Sequence, residues 1–520
     1  MKSIDKFDLG NNKTSYLLLE EPCILSTDVI GEYLNFDYYN PVYLKTLRKI
    51  EKIGKLAQLE PDVAKVTRIT GWDTTKHVQY LDEEIEDVSE GIPFLRVQNV
   101  LPFKIDIEFA ETKYITKEAH KKLKNSQIKP GDIVMTITGR VGSACVKPNG
   151  FRECNASQEV VRIRPKDGYD PYYLVAFLNS DLGKHQLQRL QTGSSRPRTL
   201  IKNVRKIKII PPSTNTEKLI IKNVQNLESE IKRIENEIAN HEEQIRHFIT
   251  QRFNIQPSLK EWKYFEADIK ERFDVKYYDP KIKQFQSYMK SKSKELSFKY
   301  VPLKEIVTFP AKIEKDSTGK IIRYNRWDPR KKPSPDGRIT PNSIFKHVRI
   351  SNMDYRYCEI TSYSEYMGKE APGRARVVLY ENDIITATSG SATGTPRHKT
   401  GIVTMEFDRS IATTGFTKLR IKNDENGKPL VLPYYLVGLL RSDFVLDDIK
   451  RRTRGSTIPN INEDDLLDVM VPVPLDDNIQ KVMADKIEEL IKTLKSKLNE
   501  LEEKKISLIQ ELEDLFLLPN

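Results

Sequence analysis

Two stretches of this chain place apolar residues at alternating steps of three and four. The first runs from Val224 to Phe248 and the second from Ile487 to Leu515. A repeat of this kind, sustained over several heptads, predicts coiled-coil helices rather than ordinary surface helices. The side chains expected in the seam are Leu227, Ile231, Ile234, Ile238, Ile245, Ile491, Leu494, Leu498, Leu501 and Leu508.

One seam position in each stretch is polar, His241 in the first and Lys505 in the second. The two positions are equivalent in their stretches. Two interpretations stay open. Either both side chains tolerate partial exposure, or a polar seam position fixes the register of the helices.

Outside these stretches, short β-rich runs alternate with turns, which indicates an α+β fold. Helices are expected over 170–179 and 432–441, each beginning near a proline. Strands are expected over Ile133–Ile137, Glu159–Ile163, Arg205–Ile210, Val377–Tyr380, Ile384–Ala387, Thr417–Ile421 and Asp468–Val473.

The chain contains an internal repeat. Pro-Tyr-Tyr-Leu-Val at 171–175 returns 262 positions later at 433–437, and this register holds for about forty residues. Upstream the offset falls to 251, where Gly-Asp-Ile-Val matches Asn-Asp-Ile-Ile, and to about 240, where FDYYNP matches FDVKYYDP. The second copy therefore carries extra residues in its middle, and we expect much of the excess between Lys312 and Arg349.

The repeat predicts the domain organisation. We expect an N-terminal extension over 1–24, a first domain over 25–212 and a first long helix over 213–255. A second domain over 256–474 and a second long helix over 475–520 follow. If an approximate two-fold axis relates the copies, the two helices run antiparallel.

Composition narrows the class of protein. The 520 residues are 38% hydrophobic and 31% charged, with a formal net charge of +11, which favours a polyanionic partner such as nucleic acid. The N-terminus lacks the apolar segment of a signal peptide, and no run reaches the length of a membrane span. None of the four cysteines forms a CxxC pair, so we expect reduced thiols in a cytoplasmic protein rather than a zinc site.

Motifs for catalysis are weak. Asn40-Pro41-Val42-Tyr43 lacks the second proline of an adenine methyltransferase motif, and Gly139-Arg140-Val141-Gly142 lacks the third glycine of a cofactor loop. Pro61-Asp62 followed far downstream by Glu111-Thr112-Lys113 fits a loose nuclease pattern, but Glu-x-Lys arises everywhere at this charge content. We therefore expect no catalytic, cofactor or metal site in this chain.

Two basic turns, 189–198 and 451–457, occupy equivalent places in the copies. Glycine permits close backbone approach, hydroxyls donate to phosphate oxygens, and arginine forks bond phosphates or guanine edges. The other interpretation is a solvated basic loop with Ser/Thr turns. In the first copy we expect DNA contacts at Arg140, Ser143, Arg189, Thr192, Ser194, Ser195, Arg196 and Arg198. In the second copy we expect them at Arg326, Lys331, Lys332, Ser389, Ser391, Thr393, Arg397, Arg451, Arg452, Arg454, Ser456 and Thr457.

The order of these elements, present twice, resembles the specificity subunit of type I restriction-modification systems. The elements are FDVKYYDP, a GDI-type strand with a glycine-containing loop, a PYYL helix, a TGS…P turn and a coil, and the resemblance covers roughly residues 25–516. It implies two target-recognition domains separated by two antiparallel helices. Each domain would bind one half of an asymmetric, interrupted double-stranded DNA site.

The resemblance also implies the partners. Methyltransferase (modification) subunits that methylate adenine would bind around the helices, and a motor-nuclease restriction subunit can join. S-adenosylmethionine and Mg/ATP would be bound by those subunits, and this chain would be a non-catalytic subunit without a cofactor. Three other functions stay open: a recognition subunit of a different methylation-linked phage-defence system, a coiled-coil adaptor that does not bind DNA, and a self-contained methyltransferase or nuclease. The missing cofactor and carboxylate motifs argue against the enzyme. Salt-sensitive DNA binding separates the adaptor from the rest.

Overall fold

The computed structural model of the chain describes residues 40–69, 76–81, 90–107, 112–193, 197–255, 275–308, 328–334, 337–455 and 458–518. It also describes residues 6–7, 15–16, 38, 314–315 and 321–322. We call residues 40–212 the first head and residues 275–474 the second head.

The chain divides into two compact units. One comprises Met1–Leu18 with Asn236–Leu498, and the other comprises Leu19–Glu235 with Asn499–Asn520. The division therefore falls inside both long helices, so each unit holds one head and part of each helix. The domain boundaries predicted from the sequence repeat follow the ends of the helices instead, and they stay a prediction.

The first head contains one four-stranded antiparallel sheet and one three-stranded sheet. The first sheet has the order Ala144–Val146, Ile133–Thr136, Val160–Pro165, Ala64–Arg68, and the second has the order Asn155–Ala156, Ile92–Leu95, Lys113–Ile115. Two-stranded pairs join Ala57–Gln58 to Lys208–Ile209 and Val100–Leu101 to Lys104–Ile105. Its helices are Pro41–Lys52, Lys117–Lys122, Pro171–Asn179, Asp181–Gln188 and Ile201–Arg205.

The second head contains a six-stranded and a four-stranded sheet. The six strands have the order Val307–Thr308, Phe416–Ile421, Ile384–Ala387, Thr400–Ile402, Glu359–Ile360, Met353–Asp354. The four have the order Ser364–Met367, Ile344–Val348, Ile411–Thr413, Ala375–Val378. Phe298–Pro302 pairs with Met470–Pro474. Its helices are Pro280–Lys292, Leu303–Ile306, Pro433–Arg441, Asp443–Arg452 and Glu463–Leu467.

Within each head, equivalent residues make the same paired contact. The buried carboxylate of Asp132 accepts from the Arg164 guanidinium at 2.6 and 2.8 Å, and Asp383 accepts from Arg420 at 2.9 and 3.1 Å. These paired bonds join the start of one strand to the neighbouring strand of the same sheet. Both ions are hydrogen-bonded twice, which offsets the cost of burying the carboxylate.

The second tyrosine of each PYYL helix makes the same hydrogen bond in both heads. The buried Tyr173 hydroxyl donates to the Ile210 carbonyl at 2.9 Å, and the buried Tyr435 hydroxyl donates to the Pro472 carbonyl at 2.8 Å. Each bond satisfies a phenol that would otherwise be buried without a partner. The repeated sequence thus repeats a scaffold at the level of single hydrogen bonds.

The two long helices are continuous, Thr214–Arg252 with 39 residues and Asp477–Phe516 with 40 residues. All ten side chains predicted for the seam are buried. The two polar positions are half-buried: the His241 Nδ1–H donates to the Glu237 carbonyl, and Lys505 pairs with Glu502. Both contacts lie within their own helices.

Ion pairs connect the long helices within each unit. In the unit that contains the first head, Lys504 contacts Glu230, and Arg233 lies 3.9 Å from Glu500. The residue number rises from 230 to 233 in the first helix while that of its partner falls from 504 to 500 in the second, so the two segments run antiparallel there. Hydrogen bonds from Arg233 and Lys504 lower the pKa of Glu230 to about 2. In the other unit Lys497 lies 2.9 Å from Glu237.

Aromatic side chains at the C-terminal ends of the long helices pack against the heads. The Phe516 ring meets Tyr173 and Phe177 of the first head edge-on, at 5.2 and 5.3 Å between centroids. In the other unit Phe253 lies 5.1 Å from Phe298 of the second head. Phe253 and Phe516 are equivalent in the repeat, so each head receives the C-terminal end of one long helix.

Most of the expected elements are confirmed, and two are wrong in part. Residues Ile201–Arg205 form a helical turn that buries Val204, so only Lys208–Ile209 of the predicted strand over 205–210 is extended. The strand expected over 377–380 is displaced to Ala375–Val378, because the Tyr380 N–H donates to the Asp383 carboxylate and starts a turn.

The described cysteines, Cys145, Cys154 and Cys358, are buried free thiols. Cys23 lies outside the described residues. Burial raises the pKa of Cys154 to about 12 and that of Cys358 to about 11, so both are neutral at physiological pH. Within the described ranges, no helix is both long enough and apolar enough to span a membrane.

We predict that the seam carries the stability of the helix pair. Ile234 is completely buried, so Ile234→Ala should lower the free energy of unfolding by about 2–5 kcal/mol. Asn240 is exposed on the same helix, and Asn240→Ala should change stability by less than about 0.5 kcal/mol. Urea unfolding followed by circular dichroism compares the two variants. Equal midpoints would contradict a packed seam.

Candidate nucleic-acid interface

In the first head, the glycine-containing loop after the central strand lies against the basic turn. The Gly139 N–H donates to the Pro197 carbonyl at 2.7 Å, and the Thr199 N–H donates to the Ile137 carbonyl at 2.9 Å. We call residues 137–142 with residues 192–193 and 197–199 the first junction. It brings together two sets of predicted contact residues that lie far apart in the sequence.

The second head builds the same arrangement. The Gly390 N–H donates to the Pro459 carbonyl at 3.0 Å, and the Ile461 N–H donates to the Thr388 carbonyl at 2.9 Å. We call residues 388–399 with residues 454–455 and 458–461 the second junction. Each of its bonds joins the residues that correspond to those of the first junction in the sequence repeat.

Each turn is closed by a reciprocal pair of backbone hydrogen bonds. Thr192 and Arg198 exchange N–H···O bonds of 2.9 Å, and Arg454 and Asn460 exchange bonds of 2.7 and 2.9 Å. The repeated glycine of each turn has a left-handed φ, 91° at Gly193 and 84° at Gly455. A residue with a Cβ is disfavoured there, so the turn itself requires these glycines.

The junctions leave several predicted contact residues exposed. Arg140, Thr192 and Arg198 are exposed in the first junction, and Ser391 and Arg454 in the second. Lys331 and Lys332, from the second head, are also exposed. The predicted contacts at Ser194, Ser195, Arg196, Arg326, Ser456 and Thr457 lie outside the described residues.

Three predicted arginines pack inside the heads instead. The Arg189 guanidinium lies 3.8 Å from the ring centroid of Tyr38, and Arg451 lies 5.0 Å from that of Tyr277. Arg451 and the buried Arg452 both donate to the Asp448 carboxylate, at 2.6 and 2.9 Å. These contacts use the charge of all three to hold the helix that precedes the turn, so we leave them out of the proposed DNA contacts.

Other predicted residues are buried in or beside the loops. Ser143 and Thr393 are buried, and Ser389 and Arg397 are half-buried. Ser143 donates its N–H to the Thr136 hydroxyl at 3.1 Å, which closes the first loop. We therefore assign Ser143 to loop structure and not to DNA contact.

The loop of the second junction is longer, and a buried histidine supports it. The strand pairing of Ala144 with Met135 and of Thr400 with Thr386 shows that the loop between these strands is five residues longer in the second copy. His398 Nδ1 accepts from the Gly394 N–H at 3.2 Å, so Nε2 carries the proton and donates to the Thr386 hydroxyl at 2.7 Å.

Burial, together with the nearby Arg441 charge, lowers the pKa of His398 to about 3. The neutral ring required by the two hydrogen bonds is therefore the form present at physiological pH. Arg441 is also completely buried and donates to the carbonyls of Tyr355 and His398, at 2.8 and 3.3 Å.

The equivalent of Arg441 in the first head is Asn179, which bonds both backbone groups of Ala144, at 3.1 and 2.8 Å. Both residues end a PYYL helix. Asn179 binds the first residue of the strand that follows the loop, and Arg441 binds a residue two positions before the corresponding strand. Sequence reasoning missed Asn179, Arg441 and His398. For Asn179 and Arg441, their matched positions at the end of the repeated helix could have indicated a shared role.

The segment that holds Lys331 and Lys332 is fixed to the second head by Asp328. Its carboxylate bonds Arg330 at 2.8 Å and Arg376 of a neighbouring strand at 2.7 Å. Hydrogen bonds from these two guanidiniums hold the pKa of Asp328 well below its usual range. The adjoining lysines are thus presented from an anchored segment.

A metal site is not apparent in the described part of the chain, where no group of three or more His, Cys, Asp or Glu side chains could hold an ion. The exposed polar side chains of the junctions include guanidinium, hydroxyl and amide groups. Such groups donate hydrogen bonds to phosphates and base edges.

A search of curated proteins gives no match. Similar solved structures include a type I restriction-modification S subunit from M. genitalium, with 13% identity, a TM-score of 0.36 and coverage of 90% of this chain and 96% of that one. The HsdS subunit from Thermoanaerobacter tengcongensis has 12% identity, a TM-score of 0.27 and coverage of 89% and 95%. A chain from a study of type I R-M complex assembly and conformational transition has 13% identity, a TM-score of 0.38 and coverage of 89% and 97%.

The family model decides the identity. The model described as "Type I restriction modification DNA specificity domain" matches residues 81–242 and again residues 339–503. The two matches together span more than half of the chain and follow the internal repeat, each covering most of one head and part of a long helix. The chain therefore belongs to the type I restriction-modification DNA specificity family, with two copies of the specificity domain.

Proposed function

We propose that this chain binds an interrupted, two-part DNA site and directs partner adenine methyltransferase subunits to it. The first junction would contact one half-site and the second junction the other. The chain would contribute recognition but no catalysis. S-adenosylmethionine, and Mg/ATP where a motor-nuclease subunit joins, would be bound by the partners.

The observation that carries this proposal is the duplicated junction. Each head holds a loop and a turn together by two backbone bonds between equivalent residues, and each leaves polar or basic side chains exposed. A fixed backbone with exposed donors suits recognition, because little conformational freedom is lost on binding. The net charge of +11 supports attraction to a polyanion.

We further propose that the long helices set the distance between the half-sites. A helix of 39 or 40 residues spans about 60 Å at about 1.5 Å per residue. The buried seam and the antiparallel ion pairs support a coiled coil, whose length is set by its number of residues. Lysine and glutamate on the outer faces would remain for the partner subunits.

The decisive experiment combines copurification with methylation mapping. The tagged full-length chain, expressed with candidate modification subunits, should recover those subunits and methylate adenine at one interrupted sequence. Recovery without sequence-specific methylation, together with DNA binding that is insensitive to salt, would contradict the proposal and favour an adaptor.

We predict that exposed arginines of the turns contribute to DNA affinity. Arg198→Ala and Arg454→Ala should each weaken binding and reduce the slope of log affinity against log salt by about one, if each removes a phosphate contact. The matched control is Lys166→Ala, because Lys166 is an exposed cation outside both junctions. Fluorescence anisotropy at several salt concentrations measures the slopes. Slopes equal to that of the unmodified chain in both variants would remove the turns from the interface.

We predict that the heads act independently. Replacing residues 55–210 with the equivalent part of a relative that reads another sequence should change one half-site and leave the other. The physical reason is that each junction lies within its own compact unit. Mapping of methylated adenines identifies both halves. A change in both halves would refute independent reading.

We predict that lengthening the helix pair lengthens the gap between half-sites. Seven residues inserted after Glu235 and seven after Leu498 fall where the two units divide, and a heptad preserves the phase of the seam. The half-site sequences should persist with a longer spacer. Insertion of seven residues in one helix only is the control, because it disrupts the pairing. A folded, assembled double insertion that still requires the original gap would show that the helices do not set it.

A further inference from the structure

The two turns present different side chains from one backbone frame. Arg198 and Asn460 are equivalent in the repeat, and both are exposed. Each exchanges two backbone hydrogen bonds across its turn, and each follows the proline whose carbonyl accepts from the loop glycine. The equivalent backbone bonds therefore give residues 198 and 460 the same place in their turns, although one side chain is a guanidinium and the other an amide.

We infer that this position reads a base pair in each half-site, with Arg198 selecting guanine and Asn460 selecting adenine. The inference rests on the proposed function, since it requires the junctions to contact DNA. An arginine fork matches the O6 and N7 acceptors of guanine, and an asparagine amide matches the N6 donor and N7 acceptor of adenine. A backbone fixed by four hydrogen bonds in each junction supplies the precise placement that paired contacts need.

The loop side chains next to these positions also differ, with a cation in the first junction and a neutral hydroxyl in the second. In the first junction, the exposed Arg140 follows Gly139 in the loop, whereas Ser391 takes its place after Gly390 in the second. The first junction thus has two exposed guanidiniums, at 140 and 198, where the second has a hydroxyl and an amide. Guanine, with two major-groove acceptors, suits the cationic pair.

The second turn also exposes an apolar side chain beside Asn460. Ile458 is 62% exposed at the tip of the turn. The one guanidinium that this turn exposes in the described residues, that of Arg454, donates to the Asp465 carboxylate at 3.1 Å. An apolar side chain next to an amide favours A·T pairs, because the thymine methyl group accepts apolar contact in the major groove.

Reciprocal substitutions in the full-length chain test this inference. Arg198→Asn should move the preference at one position of one half-site from G·C to A·T, and Asn460→Arg should do the reverse in the other half-site. Each change should alter discrimination about 5- to 150-fold, the range of one good paired contact. Selection from duplexes randomised over both half-sites, followed by sequencing, gives the preferences. Lys206→Asn, an exposed neighbour outside the turn, is the matched control and should change neither.

Arg198→Lys separates base reading from phosphate contact. Lysine keeps the charge but not the planar fork, so the salt slope should persist while discrimination at one position falls. Uniform loss of affinity in Arg198→Asn, with a shallower slope and unchanged preferences, would overturn the inference and leave the proposed function standing. Unmodified protein that selects no sequence from the pool would overturn both. Equal thermal midpoints for all variants establish that the fold is retained.

Discussion

Each head depends on a backbone constraint at the end of its central strand. Beyond Thr136 and beyond Ala387 the chain leaves the sheet, but its polar backbone groups still need partners where they are covered. In Ile137 and Thr388 both the N–H group and the carbonyl group have hydrogen-bond partners. Their N–H groups donate to the carbonyls of Glu159 and Gly415, and their carbonyls accept from Thr199 and Ile461. The turn far along the chain thus completes the sheet and, by doing so, fixes the loop.

This constraint separates structure from recognition. The bonds that join loop to turn use only main-chain atoms, so the side chains at positions 198 and 460 can differ without loss of the frame. Arg198 and Asn460 illustrate the consequence, because one frame presents a cation in the first head and an amide in the second. A duplicated scaffold can therefore present two different sets of side chains from the same main-chain frame.

The inner ends of the loops are held in two chemically different ways. Asn179 bonds the backbone of Ala144 directly, whereas Arg441 reaches the carbonyl of His398 in the longer loop of the second head. His398 fills the interior of that loop and bonds Thr386 and Gly394. The larger arginine and the buried histidine compensate for the five additional residues.

The sequence alone determined the repeat, the two long helices and the seam, because heptad spacing and a constant offset depend only on the order of residues. It also located the strands over 133–136 and 384–387 and placed basic turns at equivalent positions. It could not determine which arginines of those turns face solvent. Arg451 and Arg452 bind Asp448 and Arg198 does not, although all three lie next to a glycine turn. Asp448 lies three and four positions before Arg451 and Arg452 on one helix, so the sequence offered this pairing as one possibility. Only the tertiary structure decided it, because folding buries Asp448 and Arg452 and brings the Tyr277 carbonyl within 2.9 Å of Arg451.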